Sequence, residues 1–191
     1  MEKHYSVTRE ELEEMLSKAA LVGATVAAET VDKAHKKEQK DQRDRRLHNT
    51  KLLLRNYRML KENCEHAVFE KEQETCVESE EDVIKNIMLM KGDDKVVVDS
   101  IRRSAERTRI IIAHIDKMFD VYRLYCQKNS EKDKRQYKVV RSLYISKQKS
   151  SVQDLAKKFG VSKVTIYDDI KVAEEKISAL LFGINGLNLF H

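Results

Sequence analysis

Proline and tryptophan are absent from the 191 residues, and glycine occurs only five times. Sandwiches, barrels and doubly wound sheets need many tight turns, so this shortage of turn residues argues against them and for long helices. Cysteine is sparse as well. Cys64, Cys76 and Cys126 are odd in number, widely separated and set in helix-like sequence, which fits the reduced thiols of a cytoplasmic protein better than a disulfide framework. Cys64 and His66 are the nearest zinc-ligand types to one another, but a spacing of two puts them on different helix faces, so no metal site is expected.

Long hydrophobic runs are missing too. Residues 19–28 (AALVGATVAA) are apolar but far short of the roughly 20 that a membrane span requires, and read better as a close-packing helix face. Residues 1–14 are polar and acidic, unlike a secretory signal, so a cytoplasmic location without membrane attachment is expected. The features of an enzyme are lacking: there is no phosphate-cradling glycine loop, no metal motif and no serine or cysteine nucleophile in a recognisable context. The six histidines are scattered, and His114, among Ile110, Ile111, Ile112 and Ile115, reads as a satisfied packing histidine. Neither catalysis nor a cofactor is expected.

What the chain has is charge, 36% of it, in alternating blocks with a net of +5. Lys33, Lys36, Lys37, Lys40, Arg43, Arg45, Arg46, Lys51, Arg55, Arg58 and Lys61 form a basic block opposed only by Glu38, Asp41 and Asp44. Residues 62–82 are almost purely acidic, and a second basic block follows from Arg102 to Lys149. Such blocks point to interaction surfaces more than to fold.

Apolar periodicity supplies the fold. Thr8 and Glu11 have capping-box spacing, and Leu12, Met15, Leu16, Ala19, Val22 and Val26 follow at helical intervals. The stripe fades after Ala34 into HKKEQKDQRDRR, which is either a solvated helix or a flexible basic linker. Leu53, Tyr57, Leu60, Cys64 and Val68 line a second helix; Ser79 caps a short one carrying Val83, Ile84, Ile87, Met88 and Met90, which Gly92 ends. Asp93 or Asp94 then opens a long helix through Val97, Ile101, Ala105, Ile112, Ile115, Phe119, Tyr122 and Cys126. Tyr122, Tyr125, Tyr137 and Tyr144 lie largely on apolar stripes and read as core, not as a base-stacking platform. The pattern predicts an all-α fold: residues 1–46 as an N-terminal helix and basic linker, 47–129 as a long-helix hairpin or oligomerisation region, and 130–191 as a trihelical module without a wing.

In the last region LAKKFGVSKVTIYDDI reads as helix, tight turn, helix. Ala156 sits where two helices approach, Gly160 where the turn favours a residue without Cβ strain, and Val161 in the corner. Ser162 caps the second helix, and Ile166 and Ile170 point inward. A helix-turn-helix sets the first turn of its second helix in the major groove of double-stranded DNA. The candidate base readers are therefore Lys163 for guanine, Val164 or the Thr165 methyl for a thymine methyl, Asp168 for a cytosine amino group, and Tyr167. Lys147, Lys149, Ser151, Gln153, Lys157, Lys158, Ser162 and Lys171 are the candidate backbone contacts, which give affinity without sequence information. Asp169, a carboxylate that phosphate would repel, is expected to have a local structural role.

The segment VSKVTIYDDI resembles the recognition helix of many bacterial regulators, where the position of Asp169 is often acidic and that of Asp168 more often basic. The succession of LHNTKLLLRNYRMLKENCEHAVFE, SIRRSAERTRIIIAHIDKMFDVYRLYC, the helix-turn-helix and KISALLFGINGL, over residues 47–187, is similar to the ArpU-type regulators of phages and prophages, whose C-terminal module resembles region 4 of sigma factors. The resemblance implies a transcription regulator, an activator of phage or prophage genes, and it leaves residues 1–46 as an added dimerisation or DNA-contact element. A homo-oligomer, a dimer by preference, is expected. Two other readings combine the same parts. One is a phage small terminase-like packaging protein, marked by a ring of many subunits. The other is a sigma-like factor bound to RNA polymerase through the acidic stretch 70–82 or the tail LLFGINGLNLF.

Overall fold

The computed structural model describes residues 8–66, 79–90, 93–102 and 104–183. All regular structure among them is helical: α1 (Arg9–His66), α2 (Glu80–Leu89), α3 (Asp94–Arg102), α4 (Ala105–Lys128), α5 (Glu131–Val140) continued by a π turn (Arg141–Ile145), α6 (Val152–Phe159) and α7 (Lys163–Phe182). No described helix is long and apolar enough to cross a membrane. The chain divides into two compact units, Met1–Arg43 and Asp44–His191.

The basic run at residues 33–46 is helical, and the two helices expected on either side of it are parts of α1. The physical reason is composition. Lys, Arg, Glu and Gln are good helix formers that need no buried face, and no glycine lies between Gly23 and Gly92. α1 begins where the sequence suggests: the Thr8 hydroxyl accepts from the Glu11 N–H at 3.3 Å, and Glu11 accepts the Thr8 N–H at 2.9 Å. In the first unit every described residue is exposed, Leu12, Met15, Leu16, Leu21, Val22, Val26 and Val31 included.

The second unit holds the core. Leu53, Leu54, Tyr57 and Leu60 of α1 meet Val83 and Ile87 of α2, Val97 and Ile101 of α3, Ile111, Ile115, Phe119, Tyr122 and Cys126 of α4, and Ala173, Ile177 and Leu181 of α7. Tyr122 is fully buried and meets Tyr137 edge-on at 6.0 Å, while Tyr125, Tyr137 and Tyr144 are partly buried against the same core. Burial, with the Asp116 carboxylate it hydrogen-bonds, pushes the Tyr57 phenol up to about 12. Neither Cys64 nor Cys126 is in a disulfide, and burial pushes the Cys126 thiol up to about 11. Cys76 lies outside the described residues.

Two helix boundaries differ from the sequence reading. The long helix expected to run from Asp93 or Asp94 to Lys128 is broken into α3 and α4 at Ser104, whose hydroxyl accepts from the Arg107 N–H at 3.2 Å. The buried Thr108 hydroxyl donates to the Ile101 carbonyl at 2.8 Å, serving the end of α3. Apolar spacing passes through the break unchanged, so periodicity alone could not find it. α2 starts at the Ser79 cap as expected but ends at Leu89, with Met90 as its C-cap; Gly92 lies outside the described residues.

Polar side chains fix the helices of this unit to one another. Asn49 donates to the Ile87 carbonyl at 2.8 Å, tying α1 to α2. Arg58 donates to the carbonyls of Ser146 and Leu143, both at 2.7 Å, and so takes up acceptors at the end of the π turn. The two ring nitrogens of His114 lie 3.0 Å from the Glu80 carboxylate and 3.0 Å from the Leu181 carbonyl.

Candidate nucleic-acid interface

The turn between α6 and α7 is built by three residues with distinct tasks. Gly160 takes the left-handed conformation (φ 64°, ψ 33°) that side-chain-bearing residues avoid. Its N–H bonds the Lys157 carbonyl at 3.3 Å and the Val161 N–H bonds the Ala156 carbonyl at 3.1 Å, a Schellman closure of α6. Ser162 then caps α7, its hydroxyl accepting from the Thr165 N–H at 3.0 Å. Val161 serves both helices: it packs with Leu155 and Ala156 of α6, and it stands just before the α7 cap, where an apolar residue staples against Ile166 in the first turns.

These residues share a small core of their own. Val139 of α5, Leu155 and Ala156 of α6 and Ile166 of α7 are buried together, with Leu143, Val152, Phe159, Val161 and Ile170 packed around them. α7 therefore belongs to two cores, its first half to this one and its second half, through Ala173, Ile177 and Leu181, to the main one.

Asp169 is 1% exposed and lies on the inward side of α7. It accepts two bonds from the Arg135 guanidinium at 2.6 and 3.3 Å and one from the Gln136 amide at 3.4 Å, locking α7 to α5. One turn further on, buried Glu174 accepts from the Tyr144 hydroxyl at 2.9 Å and pairs with Lys51 at 3.6 Å. A third tie joins Lys176 to Asp133 at 2.7 Å; burial works against the Asp133 carboxylate, yet Lys176 and Ser130 hold it below its usual range. In the sequence Arg58 and Arg135 read only as cations of the basic blocks and Asp133 has no role, because the ties from Arg58 to the π turn, Arg135 to Asp169 and Asp133 to Lys176 each span 30 or more residues and only the fold brings them together.

With Ile166, Asp169 and Ile170 turned inward, the remaining positions of the first turns of α7 face out. Lys163, Val164, Tyr167, Asp168 and Lys171 are exposed, Val164 to 68%, while Thr165 is half-buried with its hydroxyl 2.9 Å from that of Ser162. Lys163 reaches across to α6 and donates to the Gln153 side chain at 3.3 Å. Lys147, Lys149, Gln153, Lys157 and Lys158, on α6 and the segment leading to it, are exposed as well. The hydroxyls of Ser151 and Ser162 are engaged as helix caps. That of Ser151 forms a capping box with Asp154 and, as the larger cause, holds the Asp154 carboxyl below its usual range. The result is an exposed helix start of mixed apolar and polar character with lysines around it.

Residues 135–186, which take in most of α5 and all of α6 and α7, match a family model described as an HTH domain. This part of the chain is similar to helix-turn-helix domains, and α6, the turn at Gly160 and α7 have that arrangement. No curated protein and no solved structure matches the chain.

Proposed function

We propose that this protein is a sequence-specific DNA-binding transcription regulator that places the first turns of α7 in the major groove. The observation that carries the reading is the joint geometry of the turn: a Schellman-closed α6, a stapled corner and a serine-capped α7 leave Lys163, Val164, Tyr167 and Asp168 facing outward on one side of the helix. In this reading Lys163 donates to guanine, Val164 and the Thr165 methyl meet thymine methyls, and Asp168 accepts from cytosine. Lys147, Lys149, Gln153, Lys157, Lys158 and Lys171 contact phosphates through their side chains. Ser151 and Ser162, with hydroxyls already committed, do so through the peptide N–H groups of the helix starts they set.

The protein acts in the cytoplasm as a homo-oligomer, a dimer by preference, since paired helix-turn-helix units read half-sites about one DNA turn or multiples of it apart. The similarity of residues 47–187 to ArpU-type regulators supports activation of phage or prophage genes as its task. The ties through Asp169 and Glu174 support a recognition helix that docks as a rigid body.

Two substitutions test the docking. Lys163→Ala is expected to weaken specific binding by about 1–3 kcal/mol and relax preference at one base position. Lys157→Ala is expected to weaken binding to all sequences alike and lower the salt slope by roughly one. Titration of labelled duplexes at several salt concentrations reads both, and unchanged binding in both variants contradicts the docking.

A further inference from the structure

The apolar stripes of α1 beyond residue 44, of α2, α3 and of α4 are spent on the core of the second unit. Those of the first unit are not. Leu12, Met15, Leu16, Leu21, Val22, Val26 and Val31 are each more than half exposed, within a unit whose described residues bury nothing. Leu12, Met15, Leu16, Val22 and Val26 fall on one face at helical spacing, with Leu21 and Val31 lying off it; such a run of exposed large apolar residues marks an interface, and a lone helix gains most of its stability from packing such a face.

Charge says what covers it. Glu10, Glu11, Glu13 and Glu14 crowd the start of the stripe, whereas Lys33, Lys36, Lys37, Lys40 and Arg43 follow its end with only Glu38 and Asp41 among them. Arg9 and Lys18 bridge Glu13 and Glu14 at the acidic end, and Glu29 bridges Lys33 at the basic end; these exposed pairs within one copy are weak, and the remaining charges leave the first end acidic and the second basic. A segment acidic at one end and basic at the other is complementary to itself when reversed. From Leu12 to Ala34 the stripe is about 33 Å long at the helical rise, and Gly23 lies at its middle with Ala19 and Ala27 one turn to either side. A Cβ added at Gly23 meets nothing within 4 Å, so that point is open for a second backbone to approach.

We infer that the first unit pairs with the same segment of a second copy of this chain, antiparallel, about a twofold axis near Gly23, with the glutamates at residues 10–14 of each copy alongside Lys33, Lys36 and Lys37 of the other. The pairing is isologous and closes at two copies. A parallel pair would instead set glutamates beside glutamates and lysines beside lysines. The inference rests on the dimeric part of the proposed function and assigns that dimer its surface and direction.

The test is sedimentation equilibrium of the full chain without DNA, in four forms: wild type; Glu10→Lys, Glu11→Lys, Glu13→Lys and Glu14→Lys together; Lys33→Glu, Lys36→Glu, Lys37→Glu and Lys40→Glu together; and all eight combined. All eight positions are exposed, so the core of the second unit is untouched. The expected masses are twice the 22.3 kDa of the chain for wild type, the single-chain mass for each one-ended variant, and the doubled mass again for the combined variant. A monomeric wild type overturns the inference, as do one-ended variants that still pair or a combined variant that fails to. A monomeric wild type that selects a DNA sequence overturns this pairing alone, and a charge-sensitive dimer that selects none overturns the DNA-binding reading alone.

Discussion

Asp168 and Asp169 are neighbours with opposite fates. Asp168 is exposed on the outward side of α7, whereas Asp169 is buried against Arg135 and Gln136. The structural role of Asp169 is legible from the repulsion that phosphate would exert on its carboxylate, whereas its inward direction is a finding of the fold, since it lies three residues on from Ile166 and shares its face. Its partner was not legible, since Arg135 lies 34 residues away and looks like one more cation in a basic block. Removing one member of a buried pair strands the other. Asp169→Asn is therefore expected to destabilise the protein by about 2–4 kcal/mol, below the full cost of a wholly buried pair because Arg135 is 24% exposed and keeps some water. Urea unfolding checks this: the midpoint should fall while the slope stays constant. A loss below about 0.5 kcal/mol would mean that the pair does not hold α7 to α5.

At the scale of elements, the starts of helices were the readable features. Thr8, Ser79 and Ser162 each cap where short polar residues stand before an apolar stripe, and α6, the turn and α7 follow the spacing of Ala156, Gly160, Val161 and Ile166. The break at Ser104 and the continuity of α1 were not readable. Caps inside an unbroken apolar period leave no periodic signal, and a basic run without apolar residues is equally compatible with a helix or a linker until its neighbours are known. The turn yields its own test. Gly160 has φ 64°, and an added Cβ there meets nothing within 4 Å, so Gly160→Ala should cost only the left-handed backbone penalty, about 1–2 kcal/mol. Thermal unfolding should show the loss, with Gly160→Asn milder than Gly160→Ala because asparagine tolerates this region better. Equal stability of all three proteins would show that the turn can close without the left-handed residue.

At the scale of the whole molecule, α7 joins the two cores of the second unit: the half proposed to enter the major groove is braced by Val139, Leu155 and Ala156, and the other half is anchored among α1, α4 and α5. That arrangement favours a preformed reading head over one that orders on contact. Composition disclosed the all-helical class, and the helix-turn-helix was legible because its turn chemistry is local. The packing of residues 44–66 beneath it was not, since Arg58 and Glu174 acquire their partners only through the fold. The central claim is that this head reads sequence. Selection of bound duplexes from a random pool by the full chain at near-physiological salt tests it most directly. The account predicts an enriched motif with twofold symmetry whose preference relaxes at defined positions when Lys163 or Tyr167 is replaced by alanine. Recovery of unenriched DNA, or a motif indifferent to both replacements, would contradict it.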